Sequence, residues 1–164
     1  MRAIGIDPGT ATTGYGVVEE SAGRLAPVAF GVVTTPAGSP MPERLLALHD
    51  EIIRLIALHA PESAAVESLF FQKNVRTALS VGQARGAILL ALQQGGVPVS
   101  EYNPLEVKQA VAGYGGAEKR QVQKMVQTLL ALKEIPRPDD AADALAVAIC
   151  HLNSRRLKSL TEKP

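Results

Sequence analysis

The sequence predicts a single α/β domain: one β-sheet with helices on its faces. Three observations carry this. The chain has 164 residues, of which 46% are hydrophobic and 20% charged, which suits one domain with its own core and excludes a disordered chain. Short strand-like runs come first and are joined by tight turns. Later runs of the same kind alternate with amphipathic helical patterns, and that order indicates one sheet rather than two domains.

The elements follow in chain order. Ala3 to Asp7 is a short apolar run ending in an acid, and Pro8-Gly9-Thr10 turns the chain. Strand character resumes from Gly14 to Val18 and again from Val28 to Thr35, so the first three strands read as an antiparallel meander. Pro36 to Pro42 is a loop. From Glu43 to His59, Leu45, Leu48, Ile52, Leu55 and Ile56 keep a helical period. Ala64 to Glu67 is a fourth strand, also ending in an acid. Asn74 is placed to cap a helix that runs to about Gln94 and stops at Gly95-Gly96. Val97 to Tyr102 is the fifth strand, and Asn103-Pro104 opens a short helix. Ala117 to Leu132 is amphipathic. Pro136 and Pro138 break the chain before a last helix over Asp139–Ser154, leaving 155–164 as a polar tail beyond a domain of residues 1–154.

Charge and cysteine content narrow the function classes. The net charge is only +1, but it is unevenly spread. Residues 1–67 carry 4 basic and 8 acidic groups, and residues 68–133 carry 8 basic and 3 acidic. A basic middle beside sparse acids suits a protein that attracts phosphate and still holds cations. The one cysteine, Cys150, permits no internal disulfide and sits in the apolar stretch Ala144 to Leu152, so a buried structural thiol and a cytoplasmic location are expected. No apolar run is long enough to cross a bilayer, so no membrane association is expected. Asp7 lies where a secretion signal would need an apolar centre.

The placement of the acids is the informative feature. Of the five Asp residues, three fall in Asp139-Asp140-Ala141-Ala142-Asp143. Asp7 and Glu67 each terminate a strand, and residues at strand ends gather along one edge of an open sheet. Asp140 and Asp143 share a helical face surrounded by alanine, which lets that helix lie close to the sheet. A set of carboxylates without a His or Cys cluster suits Mg²⁺ or Mn²⁺. Two such ions about 4 Å apart activate water and stabilise the leaving oxygen in phosphodiester hydrolysis. Each acid also has a simpler reading: Asp7 as a turn former, Asp139 or Asp140 as a helix cap, Glu67 as a partner for a lysine. Those readings leave unexplained why the acids coincide at two strand ends and on one alanine-rich helix.

Several segments then resemble a known family. Ile4-Gly5-Ile6-Asp7-Pro8-Gly9, Val66-Glu67 followed by Phe70, Lys73 and Asn74, and Gly82-Gln83-Ala84-Arg85-Gly86 are similar to segments of RuvC-type Holliday junction resolvases. So are Val107-Lys108-Gln109, Ala117-Glu118-Lys119 with Gln121-Val122-Gln123, and Asp140 to Ala146. The resemblance spans about residues 1–153 in order. It implies an RNase H-like fold with a five-stranded mixed sheet, a homodimer, and Mg²⁺-dependent nicking of opposed strands at a four-way DNA junction, alongside a RuvA–RuvB branch-migration complex. It maps metal-binding catalytic carboxylates onto Asp7, Glu67, Asp140 and Asp143, with no counterpart for Asp139. It maps DNA-contacting lysines onto Lys108 and Lys119 and a base-stacking wedge onto Phe70, with Lys73 and Arg76 near enough to hold the backbone. The adjacent Phe70-Phe71 pair has two readings: neighbours on an extended strand face opposite sides, which leaves one ring outside beside the acidic edge, or both rings anchor the following helix in the core.

Three other functions fit parts of the pattern. An actin-like ATPase also opens with a strand, an Asp and a Gly-Thr turn. It needs a second lobe and a second Asp-x-Gly loop, and no Asp after Asp7 is followed two positions later by Gly. A non-catalytic junction-binding module has no use for four convergent carboxylates. An RNase H-type nuclease acting on RNA–DNA hybrids is nearest in chemistry, and substrate competition separates it. The helix from Asn74 to Gln94, with Ala78, Val81, Gly82, Ala84, Gly86 and Ala87, offers small residues for close approach of a second copy or for packing on the chain's own sheet.

Overall fold

The computed structural model describes residues 1–68 and 75–161, the side chains of Val75, Arg76 and Leu160 excepted. Its elements are β1 (Arg2–Asp7), β2 (Thr12–Ser21), β3 (Arg24–Thr34), α1 (Met41–His59), β4 (Ser63–Glu67), α2 (Val75–Gln94), β5 (Val99–Tyr102), α3 (Pro104–Ala112), α4 (Lys119–Leu129) and α5 (Asp139–Thr161). The five strands form one sheet in the order β3-β2-β1-β4-β5. The first three make the antiparallel meander, and β4 and β5 add in parallel to β1.

Alternation along β1 builds two unequal faces. Ile4 and Ile6 point to one side, with Val17, Val66, Leu48, Ile52, Ile88 and Leu92 in a core formed with α1 and α2. Ala3 and Gly5 point to the other, where α5 covers the sheet and α3 and α4 close over α5. β1 is therefore buried on both sides, as a central strand should be. The side under α5 is built from small residues, and this sets how deeply α5 sits.

Element boundaries differ from the sequence reading where strands run past their apolar centres. The β2–β3 hairpin continues through the polar Glu19, Glu20 and Arg24 to a turn at Ala22-Gly23, both with positive φ. Pro27 is accommodated because β3 is an edge strand and the register shifts at Val17/Val18, opposite it. β5 begins at Val99, two residues later than its apolar run, because Pro98 has no N–H to give. The expected tail is also corrected: residues 155–161 continue α5. Arg155, Arg156 and Lys158 are good helix formers, and cations at a helix C-terminus are favoured by its dipole.

Candidate active site

One edge of the sheet gathers the acids. Register places Ile6 beside Val66, so the next residues, Asp7 and Glu67, emerge together from the ends of two adjacent parallel strands. Across the other side of β1, Asp7 pairs with Gly14 of β2. The first turn of α5 then delivers Asp140 and Asp143. It can do so because the sheet has no side chains in its path. A Cβ on Gly14 would lie 1.9 Å from the Asp140 carbonyl oxygen, one on Gly5 2.2 Å from that of Ala144, and one on Gly16 2.8 Å from the Leu145 nitrogen. Three glycines on two strands thus form the seat of α5. The alanines of the helix are legible in the sequence; the matching glycines are so only once strand register is known.

The electrostatics follow from this crowding. Burial, and then the charges of Glu67, Asp143 and Asp140, push the Asp7 carboxyl up to about 8. Glu67 is raised by burial and by Asp143, partly offset by a hydrogen bond with Asp7 and by Lys108 and Lys119. Asp143 is also raised, chiefly by burial, against the opposing pull of Lys119. Lys119, the first residue of α4, places its ammonium 2.9 Å from Asp143 and 3.4 Å from Asp139. Burial works against that charge, but the two acids outweigh it and hold the ammonium above its ordinary value.

The donor set fits hard divalent cations. It is all oxygen, and it carries excess negative charge that one lysine and one proton only partly neutralise. Among the described residues no three such groups stand close enough to form a finished cage. Asp139, bound by Gln123 at 3.0 Å and by Lys119, is exposed and is not among the charges felt by Asp7.

Lys108, on α3, and Lys119 line a cleft of about 230 Å³ with Glu67 and Asp143, so both sequence-selected lysines reach the acidic edge. Phe70, Phe71 and Lys73 lie outside the described residues, and Arg76 is described only by its backbone in the first turn of α2. A larger hollow of about 920 Å³ lies between α3 and the C-terminal half of α5. Its one acid, Glu106, already caps α3 against Asn103, so it holds no comparable set of groups. Cys150 is buried there, and burial raises its thiol to about 11, which disfavours the thiolate that a nucleophile needs.

The sheet order, with its antiparallel opening, two parallel strands and α5 across them, is that of the RNase H-like class of proteins. The family model for crossover junction endodeoxyribonuclease RuvC matches residues 3–151. Over 151 residues the chain is 65% identical to the crossover junction endodeoxyribonuclease RuvC of Chloroflexus aurantiacus, covering 92% of each protein. It superposes on the structure of Thermus thermophilus RuvC with a TM-score of 0.89 at 41% identity, covering 96% of this chain and 97% of that one. The T. thermophilus RuvC complex with a Holliday junction substrate gives 0.88 at 39%, covering 96% of each. The chain belongs to the RuvC family of crossover junction endodeoxyribonucleases.

Proposed function

We propose that this chain resolves four-way DNA junctions by paired, cation-dependent hydrolysis of phosphodiester bonds in opposed strands. The observation that carries the proposal is the convergence of Asp7 and Glu67 with Asp140 and Asp143 on one sheet edge, flanked by Lys108 and Lys119. The four acids would hold two Mg²⁺ ions, with Mn²⁺ able to substitute. Such ions, when bound, activate a water and stabilise the departing oxygen. The protein does the rest. Asp7 gives up its proton on loading, so cation affinity rises as the pH rises towards about 8. Lys119 leaves Asp143 and, with Lys108, offers positive charge to the backbone phosphates. Lys73 and Arg76 would hold the strand beyond the centre, and Phe70 would stack where a junction base is lost.

The phosphate role has a direct test. Alanine at Lys108 or Lys119 should weaken junction binding and reduce the slope of log affinity against log salt by about 1 each. Slopes unchanged in both variants would remove these lysines from the DNA contact. Tracing cation-dependent nicks on a synthetic four-way junction tests the activity itself.

Opposed nicks call for two active sites related by a two-fold axis, so the proposal includes a homodimer. The structure of α2 supports this. Ala84, Ile88, Ala91 and Leu92 enter the chain's own core, while Leu79, Gln83, Gly86 and Leu90 face outward, Leu79 being 66% and Leu90 54% exposed. A Cβ on Gly86 would meet nothing within 4 Å, so the chain itself does not require glycine there. Gly86→Glu should leave the fold intact and shift sedimentation from dimer to monomer at micromolar concentration. A parent that sediments only as monomer, with or without junction DNA, would contradict the dimer. Cooperation with a RuvA–RuvB branch-migration complex rests on family membership.

A further inference from the structure

The turn that follows Asp7 is held in place from a distance. Residues Pro8 to Ala11 join β1 to β2 at the acidic edge, and each carbonyl from Gly9 to Ala11 has a partner. The Thr13 hydroxyl donates to the Gly9 carbonyl at 2.7 Å, and the Thr35 N–H to that of Ala11 at 3.0 Å. The Thr10 carbonyl receives two bonds, from the Thr35 hydroxyl at 2.6 Å and from Nη2 of Arg44 at 3.0 Å. Arg44 also donates through Nε to the Thr35 hydroxyl at 2.9 Å, closing a ring of three side-chain and main-chain groups. Arg44 comes from the first turn of α1 and Thr35 directly follows β3, so α1 and the end of β3 are both tied to the turn that follows Asp7.

We infer that Arg44 is a positioning residue for the active site, and that its two-armed grip on Thr10 and Thr35 fixes the Asp7 carboxylate where a divalent cation is to be bound. The inference rests on the proposed cation-dependent activity. Its effect is geometric rather than electrostatic: Lys119, not Arg44, is the cation that offsets the charge on Asp7. Within the described residues Arg44 forms no ion pair, so the guanidinium serves neutral acceptors, which a planar fork reaches at two points and a lysine does not. The grip matters because Asp7 must stay in register with Glu67 beside it and with the start of α5 across Gly14, and a turn without such a tether is free to carry Asp7 away from them.

Arg44→Lys keeps the charge and loses the fork. The experiment measures kcat and KM for junction nicking, junction affinity, and Mn²⁺ affinity by titration without DNA, all well below the melting temperature. Leu48→Ala, in the buried face of the same helix, serves as a control for lost stability alone. Arg44→Lys should lower kcat and Mn²⁺ affinity about 10-fold or more each, with junction affinity kept, while Leu48→Ala keeps all three. Should Arg44→Lys fail to fold, Thr35→Val, which breaks the same ring, decides on the same readouts. Normal kcat and Mn²⁺ affinity in the deciding variant, or equal losses in Leu48→Ala, would overturn the inference. A parent that neither binds Mn²⁺ nor nicks junctions overturns the proposed activity as well; a normal parent with normal variants overturns the positioning role alone.

Discussion

Asp7→Asn is expected to abolish junction nicking, by about 10³-fold or more, and at the same time to stabilise the cation-free protein. The first effect follows from the loss of the carboxylate at the centre of the acidic edge, since the ions held there contribute several kcal/mol to the reaction. The second follows from linkage. Asp7 keeps its proton up to about pH 8 in the fold but only to about 3.8 in an unfolded chain. The folded chain therefore binds more protons across that window, and Asp7 makes it less stable as the pH rises from about 4 to about 8. Glu67 and Asp143, also raised, act in the same direction. Asparagine carries no charge to bury, so the variant should match the parent near pH 4 and melt several degrees higher at pH 8. Added Mg²⁺ should raise the melting temperature of the parent at pH 8 and leave that of Asp7→Asn unchanged. Junction binding should persist, because it depends on the basic residues of the middle segment. A variant that melts below the parent at pH 8, or that loses junction affinity together with cleavage, contradicts this division of roles.

Gly14→Ala should damage the site without touching an acid. The new methyl would lie 1.9 Å from the Asp140 carbonyl oxygen and 2.5 Å from its carbon, and both are backbone atoms that no rotamer change removes. The start of α5 has to lift away from β2, carrying Asp140 and Asp143 from Asp7. Overpacking of this kind costs about 1–3 kcal/mol. A displacement of about 1 Å between acting groups is enough to lose about 100-fold in rate. We expect a lower melting temperature and nicking reduced by about that factor. Gly38→Ala, where a Cβ meets nothing within 4 Å, should change neither. Parent-like nicking and melting in Gly14→Ala would mean that α5 is not seated on β2 as described.

These two residues mark what the sequence makes legible. Asp7, Glu67, Asp140 and Asp143 stand out because each is an acid at the end of an apolar run or on an alanine-rich helix, and that pattern is local. The sheet with its antiparallel opening is readable for the same reason, whereas Lys108 and Lys119 are singled out from the other basic residues of the middle segment only by the family resemblance. Gly14 was not, because its importance depends on a cross-strand pairing with Asp7 and on a helix that arrives more than a hundred residues later. Arg44 reaches Thr10 across 34 positions, and nothing near it in sequence announces a partner. The sharing of Lys119 between Asp139 and Asp143 likewise depends on how α4 meets α5. Strand ends are not legible where polar residues continue a strand at the sheet margin, and the last helix runs beyond its apolar pattern because its final turns bury little.

The proposed role of this acidic edge is to act on a four-way junction. It is tested most directly by offering the protein a synthetic junction and an RNA–DNA hybrid of matched length in one reaction with Mg²⁺, and mapping the cuts on every strand. Nicks are expected in pairs on opposed strands of the junction, none without the divalent cation, and the hybrid should stay intact. Preferential cleavage of the hybrid, or junction cutting that continues in a chelator, would contradict that role.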